Sequence, residues 1–517
     1  MPKAKSKEAT PKAITIVVPV YGDWESLSTC IDSLLEHVDV KQTVILVNDC
    51  GPDVEMMENN ILAKIKGRAN YHYYRNPQNL GFVKTCNRAV YELDKTSNDI
   101  LLLNSDTKVT AGFLEEMVSV LYANPTHGCV CPRSNNATIA SVPQRLRDNH
   151  PERDLDYSYA IYKKIKPELP RFLVCPVAVG FCMLIKRDLI KEYGLFDEIY
   201  GLGYSEENDF CLRINQDGYL SVMANWAYVY HLESRSFTSE KRQVLVAQNE
   251  AKMLQRYPYY YELVSAYTDR YIDPVDHFAD VIAGPLKPYK VLIYISVLEG
   301  SRQDLSGVKQ LIGQLLKNKD LEVTLLAEAS TAANLDVTMR SRVRHLLPGT
   351  LNELFHVVYL PTRLASYEDL LAINRYCLRI VTGLNNLYPL GLNEALSAQS
   401  SARSLLLDTI WCADKVILSP EIAKALQGFL GKPYDNLAPK LDIDSDQNLT
   451  QLVDILVTPT DKLDNLRDRW LYFTRLKDYL LPLKQPTGML YRMSQELKKA
   501  PRLHRAARRI YRKVKRS

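Results

Sequence analysis

Five places in the chain carry side chains that could do chemistry, and three of them lie where an apolar run breaks off. "DILLLNSDT" ends four apolar residues, Ile100 to Leu103, on Asn104, Ser105 and Asp106. "TVILVND" ends on Asn48-Asp49, and "TIVVPVY" on Pro19-Val20-Tyr21. The fourth, "GLGYSEENDFCLR", gathers Glu206, Glu207 and Asp209 after two glycines. Carboxylates this close raise one another's pKa, which suits one of them to take a proton from a hydroxyl. The fifth, "WAYVYHLES", delivers His231 at the end of an aromatic-rich run. Each has an ordinary alternative: an aspartate after a strand commonly caps a loop or helix, acids favour a helix N-terminus, and a histidine after a strand is often structural.

The elements around these residues decide whether they meet. Apolar runs alternate with amphipathic segments over the first 235 residues, the pattern of an α/β layer fold. "AITIVVPVY", "QTVILVNDC" and "DILLLNSD" read as buried strands. "WESLSTCIDSLLEHV" reads as a helix with Leu27, Ile31, Leu34 and Leu35 on one face, and "GFVKTCNRAVYELDK" as another. Strand-helix alternation predicts a largely parallel sheet. Ligands of such sheets bind beyond the carboxyl ends of the strands, so Asp49 and Asp106 are expected on one edge.

Composition excludes several classes. With 46% hydrophobic and 24% charged residues, a chain of 517 residues reads as a soluble globular protein of two or three domains. Its 10 cysteines form no C-x-x-C pair, which suits a reducing compartment and argues against zinc. "MPKAKSKEATPKA" has no apolar signal-peptide core. The longest apolar run, "FLVCPVAVGFCMLI", is broken by a proline and a glycine and falls short of the roughly 20 residues that span a bilayer.

Six ordered motifs resemble the inverting family 2 glycosyltransferases of the GT-A fold: "TIVVPVYGDWESLSTCIDSLL", "VILVNDCG", "NPQNLGFVKTCNRAV", "LLLNSDT", "VGFCMLIKRDLIKEYGLFDEIYGLGYSEENDFCLR" and "YVYHLES". The likeness covers about residues 13 to 240. It implies that Asn104-Ser105-Asp106 stands at the family's DxD site, with Asn in place of the first Asp and Asp106 as metal ligand, and that His231 joins the metal. A divalent cation there would offset charge on a departing diphosphate, Mn2+ suiting a mixed carboxylate and imidazole set better than Mg2+. Glu207 falls at the position of the catalytic base, a Glu for the usual Asp. Pro19, Tyr21 and Asp49 would hold the nucleotide, with Asn79, Gly81 and Asn87 shaping the neighbouring wall and Asn104 and Ser105 beside it. Gly180, Glu206 and Asp209 would lie by the donor sugar or acceptor.

The resemblance implies transfer of a sugar from a nucleotide diphosphate donor to a lipid-linked acceptor in the building of a bacterial cell-surface polysaccharide. "NSDT" resembles bacterial rhamnosyltransferases, which points to dTDP-rhamnose, while UDP-sugars are equally compatible with Asp49. Two other readings stay open. An inactive GT-A-like scaffold is suggested by Asn104 and opposed by Asp106, Glu207 and His231 together. A sugar nucleotidyltransferase would need a glycine-rich basic loop after the first strand, where "PVYGDWES" has none.

The expected organisation is a polar extension (1–12), a GT-A domain (13–270), a linker (271–288), a Rossmann-like α/β domain (289–460) and a helical region with a basic tail (461–517). The Rossmann-like part faintly resembles half of a GT-B glycosyltransferase, but its glycine loop lacks a phosphate-binding pattern. The tail, "KKAPRLHRAARRIYRKVKRS", sets Leu503, Ala506, Ala507, Ile510 and Val514 at helical spacing among basic residues. That is the pattern of a basic amphipathic helix lying on an anionic membrane, with a solvated basic tail or a nucleic-acid binder as the alternatives; taken with the resemblance, it predicts a cytoplasmic enzyme held peripherally at the membrane.

Overall fold

The apolar run Ile14–Val20 forms β1 in the middle of the first sheet, with six of its seven residues buried. The computed structural model describes residues 11–143, 155–232, 239–268, 272–283, 288–296, 306–334, 342–362, 364–384, 401–418, 420, 422–424, 441–443, 449–458, 463 and 465–472. The chain divides into two units, Met1–Pro285 and Leu286–Ser517.

In the first unit β1 is followed by α1 (Trp24–His37), β2 (Thr43–Asn48), α2 (Val54–Lys64), β3 (Tyr71–Arg75), α3 (Phe82–Arg88) and β4 (Asp99–Leu103). Next come β5 (Thr107–Val109), α4 (Phe113–Tyr122), β6 (His127–Arg133), α5 (Leu155–Ile165), β7 (Phe172–Cys175) and β8 (Cys182–Ile185). The unit ends with α6 (Arg187–Tyr193), α7 (Glu206–Asn215), β9 (Leu220–His231), α8 (Ser239–Arg256), α9 (Tyr260–Ala266), α10 (Pro274–His277) and α11 (Ala279–Ala283). The sheet runs β3-β2-β1-β4-β8-β6-β9-β5, with β7 also on β9.

Strands β1 to β4 are parallel, as the alternation predicts, and β2, β1 and β4 end side by side. Beyond β4 the expectation of a parallel sheet is corrected. Strand β8 is antiparallel to β4 and β6, and β5 and β7 are antiparallel to β9. For β5 the reason is chain length: only Asn104, Ser105 and Asp106 separate it from β4, too few for the crossover that a parallel place beside β4 requires. The chain therefore turns and pairs with the end of β9, Thr107 opposite His231.

The segment expected as a linker is also corrected in its first part. Val275, Phe278, Ala279 and Ala283 of α10 and α11 are buried, and Asp276 pairs with Arg133 in the core of the first unit.

Among the described residues the second unit holds a parallel sheet of seven strands, β10 (Tyr289–Ile295), β11 (Leu321–Ala327), β12 (Arg344–Leu346), β13 (Phe355–Leu360), β14 (Cys377–Leu384), β15 (Lys415–Leu418) and β16 (Leu441–Ile443). Their order is β12-β11-β10-β13-β14-β15-β16, the doubly wound arrangement in which strand order reverses beside the first strand. Apolar clusters cover both faces, one around Phe355, Val358 and Ile380, the other around Val291, Leu311 and Val357. The basic tail lies outside the described residues.

Candidate active site

The pairing of β5 with β9 brings together two residues far apart in sequence. Asp106 Oδ1 lies 3.5 Å from His231 Nε2. The imidazole is set from behind. Its Nδ1 lies 2.8 Å from the Asn136 carbonyl oxygen, an acceptor only, so Nδ1 carries a proton and, in the neutral ring, Nε2 turns its lone pair toward the carboxylate. Asn135 grips the backbone of the same residue at both ends: its side-chain oxygen accepts from His231 N and its amide donates to His231 O, each at 2.8 Å. A carboxylate oxygen and an imidazole nitrogen at this separation, with the tautomer fixed by a second hydrogen bond, fit a shared divalent cation. Among the described residues no group of three or more His, Cys, Asp or Glu side chains is arranged to hold a metal.

The peptide Gly180-Phe181, between β7 and β8, joins this pair to Glu207. The Phe181 ring stacks on His231 with centroids 5.2 Å apart, and its carbonyl accepts from Asn104 N at 2.8 Å. A Cβ at Gly180 would stand 3.0 Å from Glu207 Cγ and 3.2 Å from Cβ, so the absence of a side chain here makes room for that glutamate. Glu207 is half-buried, and burial pushes its carboxyl above the ordinary range, the direction a general base needs.

The other expected residues separate into facing and structural ones. Tyr21 is 37% exposed beyond β1, and Pro19, Asn104 and Ser105 are partly exposed on the same edge. Asp49, expected at the nucleotide, spends its oxygens internally: Oδ1 accepts from Asn76 Nδ2 and Leu80 N, Oδ2 from Gly81 N, all within 2.9 Å. Asn79 Oδ1 shares the Gly81 N–H at 2.9 Å. Gly81 has φ +81°, and a Cβ there would lie 3.0 Å from the Leu202 Cα, so both the backbone conformation and the close approach of the 202 backbone favour glycine. Asn87 clamps the Phe196 backbone through its N–H and C=O, at 3.2 and 2.8 Å.

Glu206 and Asp209 correct the expectation that they face a sugar. Both point inward from α7, 5% and 0% exposed. Asp209 accepts from Arg256 Nη1 at 2.8 Å and the Tyr200 hydroxyl at 3.2 Å, with Arg213 3.2 Å from its other oxygen. Glu206 keeps Oε2 without a hydrogen bond, and burial, then the charge of Glu207, pushes its carboxyl well above the usual range. Sequence reasoning missed Asn135 and Asn136. The signal was there: "PRSNN" is a polar stretch at the end of a buried strand, the same feature that drew attention to Asn104.

Residues 15–194 match the model of the Glycosyl transferase family 2. They are a family 2 glycosyltransferase domain. The match takes in Asp49, Asp106 and Gly180 and ends before His231, which strand pairing brings to Asp106, and before Glu207, which lies on α7 beside Gly180. No curated protein matches the chain. Similar solved structures include GalNAc-T7 with UDP, GalNAc and Mn2+, at 13% identity and a TM-score of 0.39 over 52% of this chain and 53% of that one. Another is the mannosyltransferase PcManGT from Pyrobaculum calidifontis with GDP-Man and Mn2+, at 16% identity and a TM-score of 0.37 over 53% and 73%. The chain thus spans about half the length of GalNAc-T7.

Proposed function

We propose that this glycosyltransferase moves a sugar, with inversion, from a nucleotide diphosphate donor to a hydroxyl of a lipid-linked oligosaccharide, with Glu207 as base. The observation that carries the reading is the convergence on Gly180-Phe181, where one residue touches Glu207 and the next stacks on His231 beside Asp106. That convergence supports reading Glu207 as the proton acceptor and Asp106 with His231 as the metal-binding pair.

Glu207 takes the proton of the acceptor hydroxyl while its oxygen bonds to the anomeric carbon and the bond to the diphosphate breaks. Gly180 keeps the approach to the carboxylate open. Asn104 and Ser105, with Pro19 and Tyr21, line the edge where the nucleotide lies, and Asp49 holds the 76–81 loop that walls it. A divalent cation held by Asp106 and His231, Mn2+ ahead of Mg2+ because one ligand is imidazole, would offset the charge left on the diphosphate. The donor is dTDP- or UDP-linked, with rhamnose favoured by "NSDT".

The test is Mn2+-dependent hydrolysis of a panel of nucleotide sugars, which reports the donor without the acceptor. Glu207→Gln keeps the shape of the side chain but accepts no proton, so turnover falls about 10²-fold while nucleotide affinity holds. Turnover retained in Glu207→Gln and lost in Glu206→Gln would move the base to Glu206.

A further inference from the structure

The loop that delivers Glu207 is held in a conformation its own residues disfavour. Gly201 and Gly203 have φ of +58° and +126°, and the two residues that follow, Tyr204 and Ser205, are also left-handed at +74° and +75°. Consecutive non-glycine residues in this region persist only where surrounding structure imposes them. What imposes them is α8. Asn249, fully buried, donates both amide hydrogens to loop carbonyls, Tyr200 O and Gly203 O, each at 2.7 Å. Lys252 donates to Ile199 O at 2.7 Å and to Asn249 Oδ1 at 2.8 Å, which fixes the amide with its donors toward the loop. Arg256 binds Asp197 and Asp209, on either side of the turn, at 2.8 Å each. Positions 249, 252 and 256 share one helical face.

We infer that α8 is a brace for the base-bearing loop and that Asn249 is a positioning residue for Glu207. The inference rests on the reading of Glu207 as base. The brace acts through backbone carbonyls, so it fixes where α7 begins and how deeply its first turn is buried. Loosening it admits water to Glu207 and lets the carboxyl titrate nearer its ordinary range. A residue that merely added stability would change the amount of folded enzyme and leave that titration where it was.

The experiment uses the full chain with Asn249→Asp, which has the same shape but no amide hydrogens to give. Lys252→Met, at an exposed position, serves as a variant that keeps the fold. Hydrogen exchange of the amides of residues 199–207 should quicken about tenfold in Asn249→Asp and less in Lys252→Met, with β1 and β2 unchanged. The acid limb of Mn2+-dependent hydrolysis of the best panel donor should move to lower pH in Asn249→Asp, with kcat reduced and KM for the donor within about twofold. Exchange unchanged in both variants overturns the brace. Faster exchange with an unmoved acid limb overturns the positioning role. Glu207→Gln run alongside separates the two readings: full activity there removes the base, whatever the loop does.

Discussion

At the scale of single residues, the site is defined by which polar groups are already spent inside the protein and which face the edge. Asp106 and Asp49 look alike in the sequence, each a carboxylate ending an apolar strand. Asp49 is 5% exposed and bound to Asn76, Leu80 and Gly81, while Asp106 stands 3.5 Å from His231. Calorimetry of UDP and dTDP with and without Mn2+ should therefore show the metal-dependent part of binding lost in Asp106→Ala and in His231→Ala; unchanged affinity in both removes the metal assignment. Glu206 supplies a pH prediction. Its folded-state pKa is raised by burial, so its contribution to stability is complete below the ordinary carboxylate range and is lost as pH rises through the folded value. Glu206→Gln has no such proton to lose. Thermal unfolding should show its Tm gaining on that of the wild type as pH is raised from about 4 to about 8; a constant difference would mean that Glu206 stays solvated.

At the scale of elements, the buried parallel strands were legible because each reads as a continuous apolar run that stops at a polar turn, and Asp106 was found by that rule. The acidic cluster was half legible. Glu206 and Asp209 stand three apart on α7 and so share its inward face, whereas Glu207 points elsewhere; helical spacing alone separates the proposed base from the two buried acids. The partners of Asp209 and His231 were not legible, since Arg256 and Asn136 lie 47 and 95 positions away and meet them only through the fold. The same holds for α10, whose short polar sequence reads as a linker. Its Asp276 forms a buried ion pair with Arg133, two residues before Asn135, which grips His231. Asp276→Ala leaves an uncompensated guanidinium in the core and should cost about 3–5 kcal/mol, measured by urea unfolding. Arg133→Met with Asp276→Leu should recover much of that loss. If the double variant is as unstable as the single one, packing rather than charge holds the segment.

At the scale of the whole molecule, charge is distributed unevenly along the chain. The final twenty residues hold ten Lys or Arg and no acid, so from a total of +5 the remaining 497 residues carry 5 minus 10, or about −5. No helix among the described residues is long and apolar enough to cross a membrane. The lipid-linked acceptor proposed above would be met at a membrane surface. The tail suits that task by composition: Leu503, Ile510 and Val514 recur at helical spacing among arginines, and each basic residue near an anionic leaflet contributes about 1 kcal/mol. Because the rest of the chain is acidic, it is repelled by the same surface, and attraction concentrates in the tail. The full chain should co-sediment with vesicles of phosphatidylcholine and phosphatidylserine and be released by salt, since screening shortens the reach of these charges to about 8 Å at physiological ionic strength. A chain ending at Leu497 should stay in the supernatant at every salt concentration while binding nucleotide and Mn2+ as before. Equal sedimentation of the two would place the membrane contact elsewhere, and capture on vesicles lacking phosphatidylserine would make it apolar rather than electrostatic.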